Sequence, residues 1–167
     1  MIVIPRVLNG LLRELDEETA RAVALDFAEQ SIREGPRSDI ALAEAALSYL
    51  AAARAVLAEG DTTLVATAHD AYFAAHTLGS ASAQETSWIA VIAVAAACKP
   101  QLEHLGVMIR ATRYRPTVVD VAQEAQKIAG RRALALHADP VAAARGARWE
   151  AARRQLQHLI AVSPPPA

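Results

Sequence analysis

From Asp16 onward, apolar residues recur at helical spacing between clear stop signals. Asp16, with Glu17 and Glu18 behind it, reads as an N-cap with acidic residues at the positive end of a helix dipole. The apolar positions that follow, Val23, Phe27, Ala28 and Ile32, run up to Gly35-Pro36, which ends the helix. Ser38 caps a second helix whose apolar face reads as Ala43, Leu47, Leu50 and Ala51, closed by Gly60. Asp61 caps a third that reaches Leu78.

Ser82 and Glu85 have the spacing of a capping box. The stretch they open, Ala83–Lys99, is apolar on every side, so it predicts a central helix with Trp88 buried among its neighbours. Pro100 ends it and opens a short segment through Leu102, Leu105 and Ile109. Thr117 and Asp120 form a second box-like pair ahead of a helix from Val118 to about Leu136, with Gly130 as its weak point. Asp139-Pro140 starts the last helix, with Val141, Trp149, Ala152, Leu156 and either Leu159 or Ile160 facing inward. Residues 1–15 predict a short helix interrupted at Asn9-Gly10.

This is an all-α pattern, a compact bundle of about six to seven helices with short connections. Residues 1–162 form one helical domain and 163–167 a proline-rich tail. Helix starts recur about every 22 residues, so a short HEAT-like repeat array is the alternative. No residues match from one helix pair to the next.

Composition sharpens the picture. Hydrophobic residues make up 53% of the chain and aromatics 4%. The core must therefore be built from Ala, Leu, Val and Ile, which favours helices in close approach. Abundant Ala and Arg beside just two lysines suggest a GC-rich bacterial source. The N-terminal stretch lacks the charged-then-apolar order of a signal peptide, and the apolar run Ile89–Cys98 is too short to span a bilayer. The expected location is cytoplasmic, with no membrane partner. Cys98 is the sole cysteine, so no internal disulfide can form.

Net charge is −1, which supplies no global attraction for nucleic acid. Along the chain, acids lead and arginines follow. Glu17, Glu18, Asp26 and Glu29 mark the first long helix as a candidate protein-binding face. Arg110, Arg113 and Arg115 beside Tyr114 are a candidate anion site. The densest polar group is His69, Asp70, Tyr72 and His76, a candidate pocket. Its histidines stand seven apart, not at the four-residue spacing of a helical zinc site, so neither a metal nor a cofactor is expected. No phosphate-binding glycine loop or nucleophile elbow occurs, and no catalytic residue is assigned.

Several stretches together resemble the Ala-rich immunity proteins of bacterial polymorphic toxin systems. They are D-E-E-T-A-R-A-V-A-L-D-F-A-E-Q-S-I, A-L-A-E-A-A-L-S-Y-L-A-A-A-R-A, A-T-A-H-D-A-Y-F-A-A-H and A-R-W-E-A-A-R-R-Q-L-Q-H-L-I, about half the chain. The resemblance implies a cytoplasmic binder without catalysis that blocks a toxin, the partner being encoded by an adjacent gene. Two rival expectations stay open: an enzyme or small-ligand protein using the His69 group, and a nucleic-acid-linked regulator using the late arginines.

Overall fold

The computed structural model describes residues 3–36, 40–78, 81–104 and 115–163, without the side chains of 76–78 and 81–87. Among the described residues the chain forms seven helices and no strand: α1 (Ile4–Arg13), α2 (Glu17–Arg33), α3 (Ile40–Glu59), α4 (Thr63–Leu78), α5 (Ala81–His104), α6 (Val118–Leu134) and α7 (Pro140–Val162). The helix punctuation accounts for most of these boundaries. Asp16 accepts from the Thr19 backbone N–H at 2.9 Å, Asp61 from that of Thr63 at 2.9 Å, and Asp139 from that of Ala142 at 3.2 Å. Asp120 accepts from the Thr117 backbone N–H at 2.7 Å, closing the turn before α6. Ser38 and the side chains of Ser82 and Glu85 lie outside the described residues, as do Leu105 and Ile109.

The helices stack in three tiers. α2 and α5 pack on each other in the middle; α3 and α4 cover one side; α6, α7 and α1 cover the other. α1 closes on α7, its most distant partner along the chain. Helices of a repeat array touch only their neighbours in sequence, so this closure makes a bundle of the chain and removes the HEAT-like alternative. The α3 helix is long and apolar enough to cross a membrane by length and composition alone. Here its Leu42, Ala46, Tyr49, Leu50, Ala53 and Val56 are buried in the shared core.

Four expectations need correcting. Trp88 is 45% exposed, while Ile89, one residue on, is fully buried. The helix is central, and α4 leans chiefly on α3, with little contact to α5. The inner face of α3 is rotated from the expected one: Ala51 is exposed, while Tyr49 is fully buried. On α7, Val141 and Ile160 face solvent, and Leu159 is the buried residue. Asn9-Gly10 does not interrupt α1, which buries Leu8 and Leu12 from either side of that pair. The α3 and α7 corrections share one cause. Where most positions are Ala, Val or Leu, the pattern fixes that a helix exists but fixes its rotation poorly.

Pro100 acts as expected in kind. It lacks an N–H, so the Ala96 carbonyl has no partner four residues on. The helix bends there, with Cys98 at φ −128° and ψ 19°. Gly130 proves to be a point of close approach: a Cβ there would meet Arg148 Nε at 2.6 Å.

Candidate functional site

Three groups of side chains carry the candidate chemistry, and the fold treats each differently. The first is built on α3 and α4, joined by a short turn. Antiparallel packing brings Tyr49 of α3 beside His69 and Tyr72 of α4. Tyr49 and Tyr72 are fully buried and stacked, with ring centroids 5.4 Å apart and planes at 22°. The Tyr49 hydroxyl lies 2.8 Å from His69 Nδ1. The His69 ring also lies against Phe73, centroid to centroid 4.5 Å.

This geometry fixes the protonation pattern. Burial pushes the Tyr49 phenol pKa well above its ordinary value, so the tyrosine keeps its proton. Burial also lowers the His69 pKa, against a smaller opposing pull from Asp70, which favours the neutral imidazole. A buried O–H needs an acceptor, and His69 Nδ1 is the partner of this one among the described residues. The phenol therefore donates to Nδ1, and the ring proton resides on Nε2. A protonated Nε2 has no lone pair for a metal or for taking a proton. Tyr72 is enclosed in the core and Asp70 is exposed, so the fold does not gather the group around one pocket. His76 lies on α4 with its side chain outside the described residues. No three His, Cys, Asp or Glu residues among those described stand close enough to share a metal ion.

Cys98 lies near this cluster, fully buried, its thiol 3.5 Å from the Ala53 carbonyl. Burial pushes its pKa up to about 11, although Arg21 pulls the other way. It is an unreactive core thiol at neutral pH.

The second group is the acidic face of α2. Glu17 pairs with Arg21 one turn on. Asp26 and Glu29 turn toward α3, where one guanidinium holds both: Arg54 meets Asp26 at 2.8 Å and Glu29 at 2.7 Å. Arg33 takes the other oxygen of Glu29 at 2.7 Å, and His158 of α7 lies 2.9 Å from Asp26. Burial works to raise the Glu29 pKa, but hydrogen bonds and charge from Arg33 and Arg54 outweigh it and hold the carboxyl below its usual range. Glu18 is exposed and makes no ion pair among the described residues. Asp26 and Glu29 thus tie α2 to α3 and α7. They carry little free charge outward.

The third group is the arginines. Arg110 and Arg113 lie outside the described residues; Arg115 is exposed ahead of α6. Arg131 pairs with Glu124 at 2.8 Å, and Arg154 with Glu34 at 3.1 Å. Arg132 donates to the Ser31 carbonyl at 2.8 Å, and Arg153 meets Glu150 at 3.4 Å. Arg132 and Arg154 therefore bind α6 and α7 to the end of α2, while Arg131 and Arg153 pair within their own helices. That weakens the case for a nucleic-acid surface, which needs arginines free to meet phosphates.

The sequence reading missed one polar pair. Gln126 of α6 donates to Gln155 of α7 at 2.9 Å, and Gln155 donates to the Ala122 carbonyl at 3.1 Å, all in the buried α6–α7 contact. The available signal was a polar residue at an inward helical position, Gln155 lying three residues past Ala152.

No protein-family model, curated protein or solved structure matches this chain.

Proposed function

We propose that the chain is a non-catalytic helical binding protein, an immunity-type inhibitor that occludes a basic surface of a cognate toxin. The reading rests on one observation, the charge left over after the internal pairs are made. Between Ser38 and Cys98 the sole lysine or arginine is Arg54, against Asp39, Glu44, Glu59, Asp61, Asp70 and Glu85. Arg54 is turned inward to Asp26 and Glu29. Glu44, Glu59, Asp61 and Asp70 are exposed and make no ion pair among the described residues. The outer tier of α3 and α4 is thus acidic, while α6 and α7 carry the arginines.

Like-signed charge segregated on one side of a braced scaffold speeds encounter with an oppositely charged protein and selects against others. The occluding face is then the α3–α4 tier, joined by Glu18 at the start of α2. The test is to produce the protein with the product of the adjacent gene and measure their association. Glu44→Lys, Glu59→Lys and Asp70→Lys combined should slow association at least about tenfold at low salt, with the difference shrinking as salt is raised. Unchanged association would remove this face. Failure of the wild type to bind any neighbour-encoded protein would count against the inhibitor reading itself.

A further inference from the structure

A cleft of about 760 Å³ opens where four helices meet, bounded by the end of α1, the starts of α2 and α6, and the bend of α5. Its size falls in the usual range for small-ligand sites, about 300–1,000 Å³. The bend shapes it: Ala95 and Ala96 line it from one side of the kink, Lys99, Pro100 and Glu103 from the other. Leu15, Ala20, Ala95 and Ala96 give it an apolar wall.

The charges along its rim do not cancel evenly. Each of its three carboxylates is already engaged. Glu17 pairs with Arg21, Glu103 lies 3.5 Å from Lys99, and Asp120 accepts from both the backbone and the hydroxyl of Thr117. Two lining arginines, Arg13 and Arg115, are exposed and make no ion pair among the described residues. α2 and α6 begin at the cleft with their positive ends already faced by Asp16 and Asp120, which leaves the two guanidiniums as its uncommitted charge. An apolar wall beside two uncommitted guanidiniums is suited to a molecule with an oxyanion head and an apolar body.

We propose that this cleft binds a small organic anion, its carboxylate or phosphate held by Arg13 and Arg115 and its apolar part lying along α5. This goes beyond the proposed protein partner and does not depend on it. The site differs from the arginine group read from the sequence: Arg115 is shared, but its companion is Arg13, about a hundred positions away in the chain and brought to the same cleft only by the fold.

The experiment is calorimetric titration of the full chain with hexanoate, hexyl phosphate, hexylammonium and inorganic phosphate. At least one of the two hexyl anions should bind with a dissociation constant below about 1 mM, and comparison of the two shows which head group is preferred. Hexylammonium and inorganic phosphate should bind at least about tenfold more weakly. Arg13→Glu with Arg115→Glu should weaken the anion at least about tenfold while leaving the urea midpoint near that of the wild type. Arg145→Glu, an exposed arginine on α7 remote from the cleft lining, should change nothing. If the double variant fails to fold, Ala96→Leu, which fills the cleft from the helix, should abolish binding in its place. Three results would overturn the proposal: no binding of either hexyl anion, equal binding of hexylammonium or inorganic phosphate, or affinity indifferent to both sets of substitutions.

Discussion

Replacing the buried glutamines of the α6–α7 contact separates the cost of a lost hydrogen bond from the cost of a stranded one. Gln155 is 3% exposed and Gln126 9%. Gln155→Leu removes the acceptor of the Gln126 amide and the donor to the Ala122 carbonyl in one step. A buried polar group left without a partner costs about 1–3 kcal/mol. The carbonyl keeps its place in the α6 backbone ladder, so the stranded Gln126 amide dominates, and a loss of about 2 kcal/mol is expected. Gln126→Leu strands only one amide oxygen of Gln155, which still donates to Ala122, so its cost should be smaller, about 1 kcal/mol. The double replacement by Leu strands no side chain and adds apolar contact, so it should lie within about 1 kcal/mol of the wild type. Urea unfolding of the four proteins, compared at equal slope, gives the coupling free energy directly. If Gln155→Leu is as mild as the double variant, the pair is not a closed network and the reasoning fails.

Exposure of Trp88 predicts that Trp88→Ala changes stability by no more than about 0.5 kcal/mol, the usual range for surface sites. Ile89→Ala, one residue on and fully buried, should cost about 2–5 kcal/mol; reversed magnitudes in urea unfolding would show that the start of α5 packs otherwise. The lowered His69 pKa means that, below the ordinary imidazole value of 6.5, the unfolded chain takes up a proton that the folded chain resists. Stability should therefore be full above pH 6.5 and fall as pH drops through the folded pKa; His69→Gln should flatten the urea midpoint between pH 7.5 and 5.5, and an unflattened profile would rule His69 out as its source. Cys98, with its pKa pushed up to about 11, should not react with a thiol reagent in the native state and should react fully in denaturant. Rapid native labelling would place the thiol at the surface.

The parts of this fold that were legible from the chain are those fixed by local chemistry. Asp16, Asp61, Asp139 and the Thr117–Asp120 pair cap helices through bonds within a few residues, which a sequence states outright. Pro100 likewise dictates its bend. The rotation of each helix was not legible, because Ala tolerates both core and surface. Ala51 and Ala53 look alike in sequence, yet one is exposed and the other fully buried. Trp88 failed for a related reason. An all-apolar helix predicts neighbours on every side, but which turn the neighbours reach depends on how α4 leans on α3. The His69 group was found by composition, but the partner that defines its chemistry, Tyr49, sits 20 residues earlier on another helix.

Charge gave the least reliable signal, and the reason bears on the inhibitor reading. Along the chain, acid on α2 and arginine after Arg110 look like two opposed faces. In the folded molecule Asp26 meets His158, and Glu34 meets Arg154, across 132 and 120 positions. Most of the α2 acids are taken up by pairs within the fold, with Arg21, Arg33, Arg54, His158 and Arg154. A linear count of charge registers both halves of such a pair as surface, so it overstates free charge wherever helices distant in sequence pack side by side. The acids of α3 and α4 escape this cancellation because the nearest arginine in sequence, Arg54, is drawn inward to α2. Arg54→Met removes the counter-charge of Asp26 and Glu29 while keeping the length of the side chain. It should add one net negative charge to the acidic side, Glu29 keeping Arg33 and Asp26 keeping His158, and raise the rate of association with a basic partner at low salt. It should also loosen α2 from α3. With both partner side chains about one-third exposed, that cost should be about 1 kcal/mol or less. A rate unchanged by Arg54→Met, in a protein that still folds, would mean that the Asp26–Glu29 end of α2 plays no part in steering the partner.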